Sequence, residues 1–199
     1  MDITALKQLS NLQTNFMFLT YLQPVNALNV KFDAQTFTIT ARETEIPAKT
    51  RTKVDFRFLG RQMSIRQGMT SEGEMRVTMV LDNNATFYTP FVNWYYQIDK
   101  STLAGELKSN MVLQLLNVDG KTTNSVYAII GCYPLNIPNL AGLNQEGTEG
   151  HLTFEATFGF DDIAHGTVSG TTVTWDEASV DYYPYATVLG NLKLPYTQA

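Results

Sequence analysis

The sequence predicts a mainly β protein, a β-barrel or β-sandwich with one flanking α-helix. Three observations carry this. Leu152, Phe154, Ala156, Phe158 and Phe160 alternate with Thr153, Glu155 and Thr157, and Met75, Val77, Met79 and Leu81 alternate with Glu74, Arg76 and Thr78. Side chains alternate across a strand, so each segment has one apolar and one wet face. Aromatics make up 12% of the chain and charged residues only 17%, a composition that suits sheets. The hydrophobic period turns helical in one place, at Phe91, Trp94, Tyr95 and Ile98.

Taken in order, Asp2 can cap a short N-terminal helix over 2–12, with Ile3, Leu6, Leu9 and Leu12 on one face. Phe16 to Leu22 reads as a strand ended by Pro24. Leu28 to Arg42 reads as one or two more, because Phe37, Ile39 and Ala41 alternate with threonines. Ile46-Pro47 breaks the run. A strand centred on Phe56 follows, and at Gly60 the apolar parity shifts to Met63 and Ile65, which requires a tight turn or bulge. Thr89 and Pro90 suit the N-cap and first position of the helix that carries Trp94. Phe87 could extend that stripe backwards, but Pro90 would then lie inside the helix, so the later start is expected. Met111 to Val118 and Val126 to Tyr133 flank the hairpin signal Asp119-Gly120. Pro134 and Pro138 frame a loop to Gly150. Beyond Asp162 the character changes: glycines and prolines punctuate the chain, Thr172 to Trp175 offers a short strand, and Tyr182-Tyr183-Pro184-Tyr185 an aromatic loop. The expected division is a β domain over 1–162 and a C-terminal extension over 163–199, an appended lobe or tail whose removal should leave the core folded.

A chain of 199 residues can bury one sizeable core. No apolar run is long enough to cross a membrane as a helix, and no basic stretch followed by an apolar one marks a secretory signal, so folding in a cytosol is expected. The net charge of −5 argues against binding to phosphate backbones. The charge is also uneven. From Thr122 to Leu192 there is no Lys or Arg, while Glu146, Glu149, Glu155, Asp161, Asp162, Asp176, Glu177 and Asp181 fall there. Basic residues crowd the first third. Such halves suit head-to-tail self-association, although an unevenly solvated surface would look the same.

Catalytic and metal-binding patterns are absent. Cys132, the single cysteine, lies in an apolar strand and reads as a buried thiol. His151 and His165 lack metal-ligand spacing, and neither a nucleophile elbow nor a phosphate-binding glycine loop occurs. Asp161-Asp162 and Asp176-Glu177 point to opposite faces of a strand, and are expected to carry solvated or lumen charge. The tyrosines near 182–185 leave open a carbohydrate-binding β-sandwich as a further alternative. No enzyme activity and no cofactor is implied.

Residues Ile46 to Ile65 stand apart. Lys49, Arg51, Lys53, Arg57 and Arg61 face a single acid, Asp55, before and within the alternating strand Val54, Phe56, Phe58. A solitary domain has little use for so charged an arm, and a subunit that reaches a neighbour does.

Several ordered segments resemble the tail tube protein family of contractile-tailed bacteriophages. They are Phe37 to Pro47 (FTITARETEIP), Val54 to Ile65 (VDFRFLGRQMSI), Met75 to Asp82 (MRVTMVLD), Phe91 to Trp94 (FVNW), Gly131 to Pro134 (GCYP) and Leu152 to Phe160 (LTFEATFGF), within a match from about Asn15 to Asp162. The resemblance implies hexameric rings that stack into a tube, with strands of six subunits joined in one barrel. It implies a surrounding contractile sheath, a tape-measure protein and transiting DNA inside, and baseplate and terminator proteins at the ends. The virion tail would be the destination, after assembly in the host cytoplasm. It places an inter-ring contact at Glu43, Glu45, Ile46, Pro47, Lys49, Arg51 and Lys53, and a shared barrel strand at Val54, Phe56 and Phe58. The extra residues after Asp162 depart from the family pattern and admit a specialised member, such as a tube initiator at the baseplate or the inner tube of a phage-derived injection system.

Overall fold

A computed structural model describes residues 18–23, 37, 41–59, 61–71, 73–82, 84–100, 107–116, 122–138, 140–141, 152–169, 172–176, 186–192 and 194. The helix expected over 2–12, the Asp119-Gly120 turn and the tyrosine loop at 182–185 lie outside them. The elements are β1 (Phe18–Leu22), β2 (Ala41–Thr44), β3 (Lys49–Phe58), β4 (Arg61–Ser71), β5 (Glu74–Val80), α1 (Tyr88–Lys100), β6 (Ser109–Leu116), β7 (Thr122–Pro134), β8 (Leu140–Ala141), β9 (Thr153–Gly159), β10 (Asp162–Ser169), β11 (Thr172–Trp175) and α2 (Ala186–Gly190).

Nine strands make one antiparallel sheet with the path β1-β6-β7-β9-β5-β2; β10 pairs with β7 and β11, and β8 with β9. The alternating residues do what their period demands. Met75, Val77 and Met79 of β5, and Phe154, Ala156 and Phe158 of β9, point into one core with Leu22, Met111, Leu113 and Ile129. Helix α1 closes that core with Phe91 and Trp94, both fully buried. Their rings meet Phe158 edge-on or tilted, at 5.3 and 6.3 Å between centroids. Such aromatic pairs add about 0.5–1.5 kcal/mol each beyond area burial. The indole Nε1–H of Trp94 donates to the Leu107 carbonyl at 2.7 Å, so its one polar atom is satisfied inside the core.

The helix begins earlier than the sequence predicts. Asp82 organises the approach: its carboxylate accepts from the Thr86 amide at 2.8 Å and from the Thr86 hydroxyl. These hydrogen bonds, the hydroxyl's first, hold the Asp82 carboxyl below its ordinary range. Phe87 is buried and does extend the stripe, packing on Phe91 at 5.8 Å. Pro90 is accommodated in the first turn, where a missing N–H costs little. Phe37 also departs from expectation. Its backbone is helical and the strand starts only at Ala41. Its fully buried ring lies 5.0 Å from Phe87, and this packing overrides the local β preference.

The boundary expected at 162 falls on the first residue of β10. That strand runs antiparallel to β7, from Asp162 opposite Ile130 to Thr167 opposite Ser125, and Ile163 joins the main core. The second face of the sheet is apolar as well. Val112, Val126 and Val168 pack against Val173, Trp175, Leu192 and Leu194, and Ala128, Ile130 and Ala164 against Leu189 of α2. Residues from 162 onward therefore supply two strands of the sheet, β10 and β11, and cover its back.

Candidate assembly interface

β3 and β4 form a separate two-stranded sheet and share no ladder with the other nine strands. Their register runs from Lys49 opposite Ser71 to Phe58 opposite Arg61, with one irregularity between Arg51 and Lys53. With Phe58 opposite Arg61, the chain reverses between them through Leu59, where the parity shift asks for a tight turn. A two-stranded hairpin by itself is marginal in water. Ten residues of β3 at about 3.3 Å each give the arm a length of about 33 Å.

The root of the arm is fastened. Lys49 Nζ forms an ion pair with Asp162, whose side chain is almost wholly buried. Asp162 also accepts the Ile163 amide at 2.7 Å. Its neighbour Asp161 points the other way and takes Lys108 at 2.6 and 2.8 Å. Lys108 lies over the Tyr133 ring, 5.4 Å from its centroid. Gly131, at φ 69°, makes room here: a Cβ on it would meet the Asp161 carboxylate at 2.2 Å. The adjacent acids therefore pair with two lysines distant in sequence: Asp162 is buried, whereas Asp161 stays exposed, as a solvated charge does. Asp162 could not be found from sequence, because its partner lies on another element.

Beside the root, Glu43, Thr44 and Glu45 of the β2 edge line an open polar cleft of about 240 Å³ with Arg76, Thr78 and Glu155. Thr44 Oγ1 donates to the Arg76 carbonyl at 3.1 Å and ties β2 to β5. The Arg76–Glu155 pair is long, 3.9 Å, and exposed, so it is worth little. Three carboxylates thus face one guanidinium.

The sequence-predicted contact residues separate into three groups. Glu43 and Glu45 lie in the cleft, and Ile46 beside them is 41% exposed. Pro47 is buried and Lys49 is held by Asp162. Arg51, Lys53, Val54, Phe56 and Phe58 are placed by backbone register along β3, opposite Met69, Arg66, Ile65, Met63 and Arg61. The tip shows a feature that sequence reasoning missed. Leu59 is 88% exposed and takes a φ of 48°, a left-handed conformation that favours Gly, Asn or Asp. Its signal is a Leu where a two-residue hairpin turn normally has one of those residues.

Chemistry-bearing groups elsewhere are sparse. Burial pushes the Cys132 thiol up, far from a reactive thiolate. Ser125 Oγ lies 3.1 Å from His165 Nε2, and the imidazole packs on Tyr127 at 5.1 Å. Among the described residues no cluster of His, Cys, Asp and Glu could hold a metal, and no helix is long and apolar enough to cross a membrane.

This fold, an antiparallel sheet on an aromatic core with a packed helix, is similar to that of chains in solved structures of contractile injection systems. It is similar to a chain of the anti-feeding prophage baseplate, with a TM-score of 0.57 at 16% identity over 76% of this chain and 93% of that one. It is also similar to a chain of an extracellular contractile injection system, in its PVC sheath-tube complex in the extended state, with a TM-score of 0.58 at 10% identity over 81% and 97%. A third likeness is to a chain of the anti-feeding prophage tube-terminating cap, with a TM-score of 0.55 at 9% identity over 79% and 92%. No protein-family model and no curated protein matches the sequence. The likeness is thus one of fold. Roughly a fifth of this chain has no counterpart in these structures, while each of them is covered almost completely.

Proposed function

We propose that this chain is a structural subunit of the inner tube of a contractile tail, assembling as hexameric rings that stack into a conduit. The observation that carries the reading is the β3–β4 hairpin. Among the described residues its two strands pair only with each other, in a ladder separate from the nine-stranded sheet. The sheet adds to this: among the described residues β1 pairs only with β6 and β2 only with β5, at the two ends of its path. Open edges are templates for strand pairing, and joining subunits into a closed barrel removes them. The likeness to proteins of sheath-tube, baseplate and cap assemblies supports the same role.

In this reading a contractile sheath surrounds the tube, and baseplate and terminator proteins bound its ends. A tape-measure protein, and later phage DNA, occupies the lumen without sequence-specific binding. The inter-ring contact includes Glu43, Glu45, Ile46, Arg51 and Lys53, with Lys49 fixing the arm's root. Val54, Phe56 and Phe58 lie on the strand presented to neighbours. The named neighbours are injection systems, which favours a second version of the same role, the inner tube or tube initiator of a phage-derived injection particle.

Electron microscopy of the purified protein and of the particle that contains it tests the proposal. Sixfold rings and stacked tubes are expected, with many copies per particle. A chain that stays monomeric at high concentration and is absent from particles would overturn it, and about six copies per particle would assign it to the initiator.

A further inference from the structure

The geometry points to a specific self-docking contact: the tip of the β3–β4 hairpin of one copy seats in the cleft of Glu43, Glu45 and Glu155 of a second copy. This rests on the tube reading and assigns its partner surfaces.

Three observations at the tip ask for a partner. Leu59 is the most exposed of the large apolar side chains, at 88%. It is held at a φ of 48°, which costs a Leu about 1–2 kcal/mol. An exposed apolar residue kept in a strained conformation contributes nothing to the fold that carries it, and strain of this kind collects at functional positions. Arg57 and Arg61 are both exposed and bracket Leu59. Phe58 pairs with Arg61 and Arg57 with Gln62, so the two arginines stand on opposite faces of the hairpin. The tip is therefore an apolar knob between two guanidinium groups.

The cleft has the complementary pattern. Glu43, Glu45 and Glu155 outnumber Arg76, and their side chains are exposed. Ile46 follows Glu45 in the chain and is 41% exposed, so it is the apolar surface assigned to Leu59. Guanidinium groups suit this contact because their planar donors match carboxylates. Within one chain the tip cannot reach the cleft. The cleft lies within a few residues of Lys49 at the root of β3, and the tip lies at the far end of that extended strand. Donor and acceptor at opposite ends of one arm make the contact heterologous. A heterologous contact repeats from copy to copy until it closes a ring or continues as a filament.

Charge exchange tests this with full-length protein. Arg57→Glu with Arg61→Glu gives a copy with a reversed tip and an intact cleft. Glu43→Lys with Glu45→Lys gives one with a reversed cleft and an intact tip. All four positions are exposed, so unfolding curves should match the parent. Each double variant alone should self-associate at least about tenfold more weakly. Mixed, they should form a discrete one-to-one complex, because each retains one working half, and added salt should weaken it. A disulfide gives the second reading. Leu59→Cys and Ile46→Cys copies should cross-link when mixed and not singly, and the buried Cys132 does not interfere. The inference is overturned if the parent assembles but tip reversal leaves assembly unchanged, or if the mixed cysteine copies do not cross-link. The tube reading survives both results. A parent protein that never assembles, with or without the particle's other components, overturns both.

Discussion

The core around Trp94 and the arm beyond Lys49 are built on opposite plans. In the core, fully buried aromatic rings from α1, β9 and Phe37 interlock, and the one indole N–H is satisfied by a main-chain carbonyl. In the arm, a two-stranded ladder separate from the main sheet is fastened at its root by a lysine on a buried aspartate and ends in a strained, solvent-facing Leu59. The core closes on itself within one chain. The arm ends in an exposed apolar side chain between two exposed arginines. Substitutions in the two regions should therefore separate stability from assembly.

The largest effect belongs to the core. Trp94→Ala removes the biggest fully buried side chain and leaves the Leu107 carbonyl without its donor. A loss of about 3–5 kcal/mol is expected, read as a lower midpoint in denaturant unfolding. Assembly should fall only as far as the folded fraction falls. A variant that stays as stable as the parent but no longer assembles would show that the core is not independent of the interface.

Much of this division is legible in the sequence, and the gaps have physical reasons. Strict alternation identifies β5 and β9 because one face of each is buried and the other wet. The charged arm stands out because five basic residues there meet one acid, and the parity shift at Gly60 marks a break in its alternation. β10 is obscured by Gly166, which signals a break in sequence. In the structure it is a close approach: the Trp175 ring packs where a side chain would be, 2.7 Å from the position of a Cβ. The two-residue β8 and the five-residue α2 are too short to show a period. The early start of α1 goes with Phe87 packing on Phe91 and on Phe37, a core contact that the local cap signal at Thr89 does not show. Cleft and anchor are harder still, because they join residues of β2, β5 and β9, and of β3 and β10, that only the fold brings together.

An intermediate effect sits where the two regions meet. Asp162→Ala removes the carboxylate paired with the mostly covered Lys49 ammonium and the acceptor of the Ile163 amide. Because the lysine retains some access to water, a loss of about 1–3 kcal/mol is expected rather than the full penalty of a buried unpaired charge. The sharper readout is local. Amide hydrogen exchange in β3 and β4 should accelerate while β5 and β9 keep their protection, since only the arm loses its root. Acceleration spread evenly over both sheets would mean that the ion pair supports the whole domain and not the arm.

The smallest effect on stability carries the most information about the arm. Leu59→Gly relieves a φ of 48° that a Leu adopts at a cost, and exposes no new apolar surface because the side chain is already in solvent. Glycine's extra freedom in the unfolded chain takes back part of the gain, so the monomer should become more stable by up to about 1 kcal/mol. Self-association should weaken in the same variant, because the apolar knob between Arg57 and Arg61 is gone. Stability and assembly moving in opposite directions on a single exposed side chain is the pattern a contact residue gives and a folding residue does not. If both rise together, or association is unchanged, Leu59 is an incidental turn residue and the strain at the tip has no assembly role.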